Sequence, residues 1–188
     1  MGIIKIGSSK NRKGVTVSPS TVLFNGNDVK SIKSGSTTIW GKSKPLVPTL
    51  TSNNGSDGGV ASSSGIHTHP SPYYEFYAFD NNDSTCWVSG GYELNPWLQY
   101  SFAEPMVVNC ISYRQTESYR INSAKIQGSN NGEQWDDLSD VFNVEKDNEV
   151  HKKHIDNTKS YIHYRFSVTS ASDYTMSLYH LQFYGYQP

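Results

Sequence analysis

The sequence predicts an all-β protein built as an antiparallel sandwich, and three observations support this fold class. Apolar and polar residues alternate in short runs, for example over residues 97–102, where Leu98, Tyr100 and Phe102 fall on one side. Clusters of Gly, Asn, Ser and Pro separate these runs and are typical of turns. No segment shows a convincing helical spacing of apolar residues, so strands rather than helices are expected to form the core.

Residues 1–42 are expected to form a small β docking segment. Asn25, Gly26 and residues 34–36 lie between short apolar runs, and such turn residues predict hairpins. A β segment this short buries too little surface to be stable alone. We therefore expect it to dock on the next domain, on copies of itself or on a larger assembly, with a plain hairpin packed on the main domain as the simpler alternative.

Residues 43–50 predict an extended linker, because Pro45 and Pro48 cannot donate backbone hydrogen bonds. Residues 51–188 are expected to form the sandwich. In that part of the chain we predict one helical turn at residues 75–77 and strands at residues 97–102, 107–113, 124–128, 152–156, 161–168 and 178–186. Trp135 is expected in the core, with a sugar-facing Trp135 as the alternative.

Composition and motifs argue against several functions. The net charge of −1 does not suggest a nucleic-acid-binding surface. The chain has no Gly-x-Ser-x-Gly, no His-Glu-x-x-His and no phosphate-binding glycine loop, and it is short for a deep-cleft glycosidase with paired carboxylates, so we expect no enzyme. It also shows no signal peptide and no membrane-spanning run, so synthesis in a cytoplasm and no membrane insertion are expected.

Cysteine and histidine residues show no metal-binding spacing. Cys86 and Cys110 have apolar neighbours and are expected to be reduced, buried thiols. His67 and His69 could share one face of a strand, but Pro70 interrupts the strand and no third ligand is near. These two histidines are therefore expected in an exposed loop that faces a ligand or solvent.

The most unusual stretch is residues 78–87, which concentrates Asp, Asn, Ser and Thr before Trp87. These side chains bond to nearby backbone and favour tight turns. A turn of this kind can point several oxygens at one spot, which suits a hard cation such as calcium. A polar loop without an ion is the alternative.

Four further motifs follow this stretch in order, at residues 96–102, 125–132, 164–166 and 181–185. The complete series resembles the discoidin family, also called coagulation factor V/VIII type C (F5/8 type C) domains, to which family 32 carbohydrate-binding modules belong. The resemblance covers residues 46–188. It implies an eight-stranded antiparallel jelly roll whose loops gather at one end, and a non-catalytic role in binding carbohydrate.

The resemblance also implies a structural Ca²⁺ site, held by side chains and by two backbone carbonyls, at Tyr77, Asp80, Asn82, Thr85 and Tyr179. Two positions depart from the family pattern. Asn81 replaces the usual Gly, a change that Asn tolerates because it enters the left-handed region readily. His180 replaces the usual Glu, which removes a potential anionic contact and puts occupancy of the site in doubt.

Ligand recognition is expected at the loop end, where aromatic rings can stack on sugars and Arg or His can donate hydrogen bonds. We expect only about two or three of the candidates to contact ligand. The candidates are His67, His69, Tyr73, Tyr74, Tyr92, Arg114, Tyr119 and Tyr174.

The hypothesis at this stage is a phage virion or tail component that recognises a bacterial surface glycan. Residues 1–42 resemble short β-modules of phage tail and baseplate proteins, so other virion proteins or further copies of the chain are the expected partners. Two alternatives remain open: a structural virion protein whose jelly roll joins subunits, and the extracellular binding module of a secreted glycoside hydrolase.

Overall fold

The computed structural model describes residues 43–91 and 95–188, together with the strand positions of four short segments nearer the N-terminus. It divides into two units, Met1–Lys42 and Ser43–Pro188. In the first unit the strands form two antiparallel pairs, β1 with β2 and β3 with β4. These strands are β1 (Leu23–Phe24), β2 (Asn27–Asp28), β3 (Ser31–Ser34) and β4 (Thr37–Gly41). The docking role of residues 1–42 stays a prediction.

The second unit is almost entirely β-structure. Its described residues contain a single 3₁₀ turn, Glu75–Ala78, at the position where a helical turn is predicted. No helix in the described part of the chain is long and apolar enough to span a membrane. The strands are β5 (Lys44–Pro45), β6 (Val60–Ser63), β7 (Trp87–Val88), β8 (Trp97–Arg114), β9 (Ile121–Ser129), β10 (Asp136–Asp137), β11 (Phe142–Asn143), β12 (His151–His154), β13 (Tyr161–Ala171), β14 (Ser177–Leu178) and β15 (His180–Tyr186).

Two antiparallel sheets face each other across the core, and β8 belongs to both. In the first sheet the order is β6–β8–β13–β9, with β10 and β11 on the far edge of β9. In the second sheet the order is β12–β8–β15–β5. A short pair of β7 and β14 lies apart from them. This arrangement confirms the predicted antiparallel sandwich of the discoidin type.

One predicted pair of strands is a single strand in the structure. The sequence predicts separate strands at residues 97–102 and 107–113, whereas β8 runs unbroken for 18 residues. Its first part pairs with β13, and its second part, from Val107, pairs with β15. Pro105 lies near the point where β8 passes from the first sheet to the second. Its missing N–H group therefore does not interrupt strand pairing in the middle of either sheet.

Aromatic rings fill the space between the sheets. Tyr164 and Phe183 are fully buried, and their ring centroids lie 5.9 Å apart. Phe102 meets both rings edge-on. The hydroxyl groups of the buried Tyr100 and Tyr164 donate to Asp57 Oδ1 and to a backbone carbonyl, at 2.6 Å in each case. Both tyrosine hydroxyls therefore keep a hydrogen-bond partner, which offsets their desolvation.

The expected linker at residues 43–50 is instead part of the sandwich. Lys44 pairs with Gly185 of β15, and the Leu46 N–H donates to the Phe183 carbonyl at 2.9 Å. Val47 is buried, and the Gln182 carboxamide hydrogen-bonds both backbone groups of Val47, at 3.0 and 2.9 Å. Pro45 is accommodated because β5 is an edge strand, where one side of the ladder needs no donor.

Both cysteines are free thiols, and only Cys86 is fully buried. Cys110 is half-buried, in the part of β8 that belongs to the second sheet. Burial raises the pKa of both thiols, so the unreactive protonated form is favoured.

Gly185 supplies a test of the packing between β8 and β15. A Cβ atom at this position would lie 1.8 Å from the Val107 carbonyl oxygen, and a paired backbone cannot move away cheaply. We expect Gly185→Ala to lower the free energy of unfolding by about 3 kcal/mol, as overpacking of a core does. Urea unfolding followed by tryptophan fluorescence measures the loss.

Gly91→Ala is the matched control, because a Cβ atom at that position would meet nothing within 4 Å. The two variants make the same chemical change in different surroundings. Equal stability of Gly185→Ala and Gly91→Ala would contradict the described packing of the two strands.

Candidate ligand-binding rim and calcium loop

Four loops lie together at one end of the sandwich, and we call them the rim: residues 64–74, 80–86, 115–120 and 172–176. Backbone hydrogen bonds between elements place them there. His67 N–H donates to the Val88 carbonyl at 2.9 Å, and Ser89 N–H donates to the Met176 carbonyl at 2.8 Å. Ser177 N–H donates to the Tyr119 carbonyl at 2.9 Å. The predicted gathering of loops at one end is therefore present.

Loop 115–120 is braced by a buried glutamine. Gln115 is fully buried, and its Oε1 accepts the Ile121 N–H at 2.9 Å while its Nε2 donates to the Ile121 carbonyl at 2.8 Å. The side chain thus closes the loop in the way that a strand partner would. This buried residue was not predicted as part of the site, and a polar side chain after an apolar strand was its only sequence signal.

Tyr119 and Tyr174 are the most exposed of the predicted ligand tyrosines that the structure describes, at 52% and 73%. Their loops are joined, because Asp173 accepts the Arg120 N–H at 2.8 Å and Ser172 N–H donates to the Arg120 carbonyl at 3.1 Å. Tyr119 also has a φ of 54°, a left-handed conformation that is unusual for a bulky residue. The structure therefore presents two tyrosine rings on adjoining, hydrogen-bonded loops.

The residues predicted around position 70 form a second aromatic group on the rim. His67 packs edge-on against Tyr73 at 6.1 Å between ring centroids, and Tyr73 N–H donates to the His67 carbonyl. Tyr74 is 39% exposed and contacts the rings of Phe76 and Tyr77. His69 is exposed in the same loop. Tyr92, the remaining tyrosine candidate, lies outside the described residues.

Arg114 is placed differently from its predicted role as a surface ligand contact. Its side chain is only 9% exposed, and its Nη2 pairs with Asp83 Oδ1 at 2.9 Å and with the Asp83 carbonyl at 3.3 Å. The guanidinium carbon lies 5.7 Å from the centre of the Tyr179 ring. Arg114 therefore ties loop 80–86 to the end of β8, and its Nε has no partner among the described residues.

Three oxygens of the predicted calcium stretch converge. The Thr85 hydroxyl lies 2.7 Å from Asp80 Oδ2 and 3.1 Å from the Asn82 carbonyl oxygen. The Asn82 carboxamide accepts the Ser84 N–H instead, so the backbone carbonyl of Asn82 is the oxygen that faces the other two. Asn81 adopts a φ of 55°, the left-handed conformation expected for the residue that replaces Gly.

These donors suit a weakly held calcium ion. The described residues contain no group of three or more His, Cys, Asp or Glu side chains able to hold a metal, so carbonyl and hydroxyl oxygens would have to supply most ligands. His180 adds no negative charge: its Nε2 lies 2.8 Å from the Ser112 hydroxyl, and burial, followed by the charge of Arg114, lowers its pKa. Asp80 would be the single carboxylate at the three-oxygen cluster.

Trp135 is not in the core, contrary to the prediction. It is half-buried on the outer face of the first sheet, where the Arg165 guanidinium lies 3.8 Å from the centre of its ring. The same guanidinium lies 5.8 Å from the centre of the Trp97 ring, on its other side. Alternation in β8 and β13 could have indicated this surface, because Trp97 and Arg165 both fall opposite the apolar positions.

The comparisons with known proteins agree with this architecture. The sequence profile of the F5/8 type C domain matches residues 59–180. No curated protein sequence is significantly similar to the chain.

Solved structures show the same fold. One is the family 32 carbohydrate-binding module of Clostridium perfringens NanJ in complex with galactose, with 20% identity, a TM-score of 0.56, and 67% of this chain and 93% of that chain covered. Another, also from C. perfringens, is CpGH89CBM32-5 in complex with GalNAc-β-1,3-galactose. It has 13% identity and a TM-score of 0.57, with 66% of this chain and 94% of that chain covered. Chitosan-binding module 1 of a Paenibacillus sp. IK-5 chitosanase/glucanase has 20% identity, a TM-score of 0.58, and 73% and 99% coverage.

The three structures establish the fold, and the profile covers more than half of the chain and includes the rim and the calcium loop. The chain therefore belongs to the F5/8 type C domain family.

Proposed function

We propose that this protein is a non-catalytic carbohydrate-binding module whose rim holds the ligand. The observation that carries the proposal is the pair of exposed rings, Tyr119 and Tyr174, on two loops joined by hydrogen bonds. Related structures contain or are named for galactose, GalNAc-β-1,3-galactose and chitosan, which supports a sugar as the ligand class.

The chemistry of the two tyrosines suits sugar binding. An exposed phenol ring offers an apolar face to the C–H groups of a sugar, and its hydroxyl bonds to a sugar hydroxyl. The loops are fixed before the ligand arrives, because Gln115 closes one loop and Asp173 joins the two. A preformed site loses less conformational entropy on binding.

The environment of the rim acids supports binding rather than hydrolysis. Asp83 is paired with Arg114, and Asp173 lies 3.8 Å from the Arg120 Nε. A glycosidase needs two carboxyl groups facing each other across the scissile bond, one of them held protonated. Asp83 and Asp173 each lie beside an arginine side chain instead, which does not match that arrangement.

For the biological setting we propose a phage virion or tail component that recognises a bacterial surface glycan. The support is the resemblance of residues 1–42 to tail and baseplate β-modules. Many copies on one particle would raise a weak single-site affinity by avidity.

A module of a secreted glycoside hydrolase is the second candidate, because similar modules come from a family 31 glycoside hydrolase and a chitosanase/glucanase. Measurement of the mass of the purified chain in solution separates the two. A closed oligomer supports the virion setting, and a monomer supports the hydrolase module.

Removal of a rim tyrosine tests the proposed site. We expect Tyr174→Ala and Tyr119→Ala each to weaken glycan binding by about 5- to 10-fold, the loss typical of one aromatic anchor. Isothermal titration with the best-binding sugar from a glycan array measures the change. Val141→Ala is the control, because Val141 is an exposed apolar side chain outside the rim. Unchanged affinity in both tyrosine variants would refute the site.

Calcium dependence tests the proposed structural ion. If Asp80, Asn82 and Thr85 hold Ca²⁺ with a Kd of about 10⁻⁴–10⁻³ M, about 2 mM calcium adds roughly 1 kcal/mol of stability and raises the Tm by about 2–4 °C relative to EDTA. Differential scanning calorimetry measures this difference. Asp80→Asn should abolish the calcium-dependent part, and Asp140→Asn, an exposed acid elsewhere, should retain it. A Tm independent of calcium would exclude the ion.

A further inference from the structure

The outer face of the first sheet carries a surface that the rim does not explain. Strand register aligns its residues, because Arg165 pairs with Gln127 of β9 on one side and with Gln99 of β8 on the other. Neighbouring residues of the same strands, such as Phe166 and Leu98, are fully buried in the core. Arg165 and its partners therefore point away from the core, and we call Trp97, Arg165, Trp135 and Gln127 the sheet-face patch.

Two indole rings flank the arginine. Trp135 lies on the β9 side with its ring centre 3.8 Å from the guanidinium carbon, and Trp97 lies on the β8 side at 5.8 Å. The Trp135 Nε1–H donates to the Gly132 carbonyl at 3.1 Å, which fixes the ring over the sheet. Both rings are half-buried, so part of each indole remains open to solvent.

The guanidinium of Arg165 has unused donors. Its Nε donates to Gln127 Oε1 at 2.7 Å, while its two terminal nitrogens make no hydrogen bond to any described residue. No described carboxylate lies within 4.0 Å of it. Burial also lowers the pKa of Arg165, because the charge is partly desolvated. Asp137 acts on Arg165 electrostatically but makes no ion pair with it. An incoming carboxylate would accept hydrogen bonds from the terminal nitrogens and would place a negative charge in direct contact with the guanidinium.

The Arg165 position is held rigidly from below. Gln127 is 6% exposed and donates through Nε2 to Asp137 Oδ1 at 2.6 Å. Asp137 is in turn engaged by Lys125 at 2.9 Å, so its charge is already paired with a lysine. This series of hydrogen bonds fixes the Nε side of the guanidinium. The opposite edge carries two N–H groups that point in parallel, and this edge is available for a planar carboxylate.

Neutral polar groups and a groove border the patch. The Ser101 hydroxyl lies 2.8 Å from His163 Nδ1 and accepts from Gln99 Nε2 at 2.9 Å. On the other side, Lys125 and Asp137 also line a groove of about 560 Å³. Hydrogen-bonding groups therefore lie on either side of the charged centre.

We propose that the sheet-face patch is a second binding site, which takes the carboxylate of an acidic sugar on Arg165 and stacks the sugar ring on a neighbouring indole. The choice of a sugar rests on the proposed function, whereas the choice of a carboxylate rests on the Arg165 guanidinium, which makes no ion pair with any described carboxylate. The patch would then select uronic-acid-containing chains, while the rim binds neutral sugars.

Titration of the isotope-labelled full chain with tetragalacturonate, galactotetraose and acetate tests this inference. The indole N–H signals of the four tryptophans are followed by NMR. We expect tetragalacturonate to shift the Trp97 and Trp135 signals and to bind at least about 10-fold more tightly than galactotetraose, since charged hydrogen bonds are the stronger ones. Acetate at the same concentration should shift them less, because it lacks the ring. Added salt should weaken the effect.

Arg165→Gln should reduce tetragalacturonate binding by at least about 10-fold. Lys152→Gln is the control, because it removes one positive charge from the second sheet, where Lys152 lies over Tyr184. Equal affinity of the unaltered chain for the acidic and neutral tetramers would overturn the inference without any variant. Tyr174→Ala alters the rim and leaves the sheet-face patch unchanged, so it distinguishes the two sites. If no sugar binds at the rim while the Trp135 indole signal still shifts with tetragalacturonate, the proposed rim function is lost and the sheet-face patch remains.

Discussion

The pairing of β8 with both sheets is the constraint on which the rest of the structure depends. This strand pairs with β13 in one sheet and with β15 in the other, so the two halves of the sandwich cannot separate without breaking its ladders. Its inward side chains, among them Leu98 and Ile111, enter one common aromatic and aliphatic core. Burial of that core is the main favourable term, and the continuous strand determines how the two sheets are aligned.

The two ends of β8 also position the rim and the sheet-face patch. Trp97 begins the strand and contributes one ring of the sheet-face patch, while Arg114 ends it and holds loop 80–86. Loop 115–120 follows directly, and its conformation depends on the buried Gln115 rather than on strand pairing. Recognition at the rim therefore relies on a few side-chain hydrogen bonds anchored to a rigid strand, which is a common way to hold binding loops.

The surfaces differ in the chemistry that they offer. The rim presents uncharged phenol rings, and the arginines in and beside it, Arg120 and Arg114, are engaged by aspartates. The outer sheet face presents a guanidinium that has aromatic neighbours but no carboxylate partner among the described residues. A module with both surfaces would contact a polysaccharide at two points, and the two contacts would respond differently to salt, because only one of them depends on charge.

The sequence by itself determined the fold class, because alternation and turn residues are local properties of the chain. The resemblance to the family implied that loops gather at one end and that Asn81 stands where a left-handed residue is usual. The family and the oxygen-rich loop followed from motifs that are also local. Tertiary structure alone decided that residues 43–50 join the sandwich, that Arg114 is buried under Asp83, and that Trp135 leaves the core to cover Arg165. These outcomes depend on which distant strand or side chain lies opposite, and residues far apart in sequence meet only when the sheets have closed.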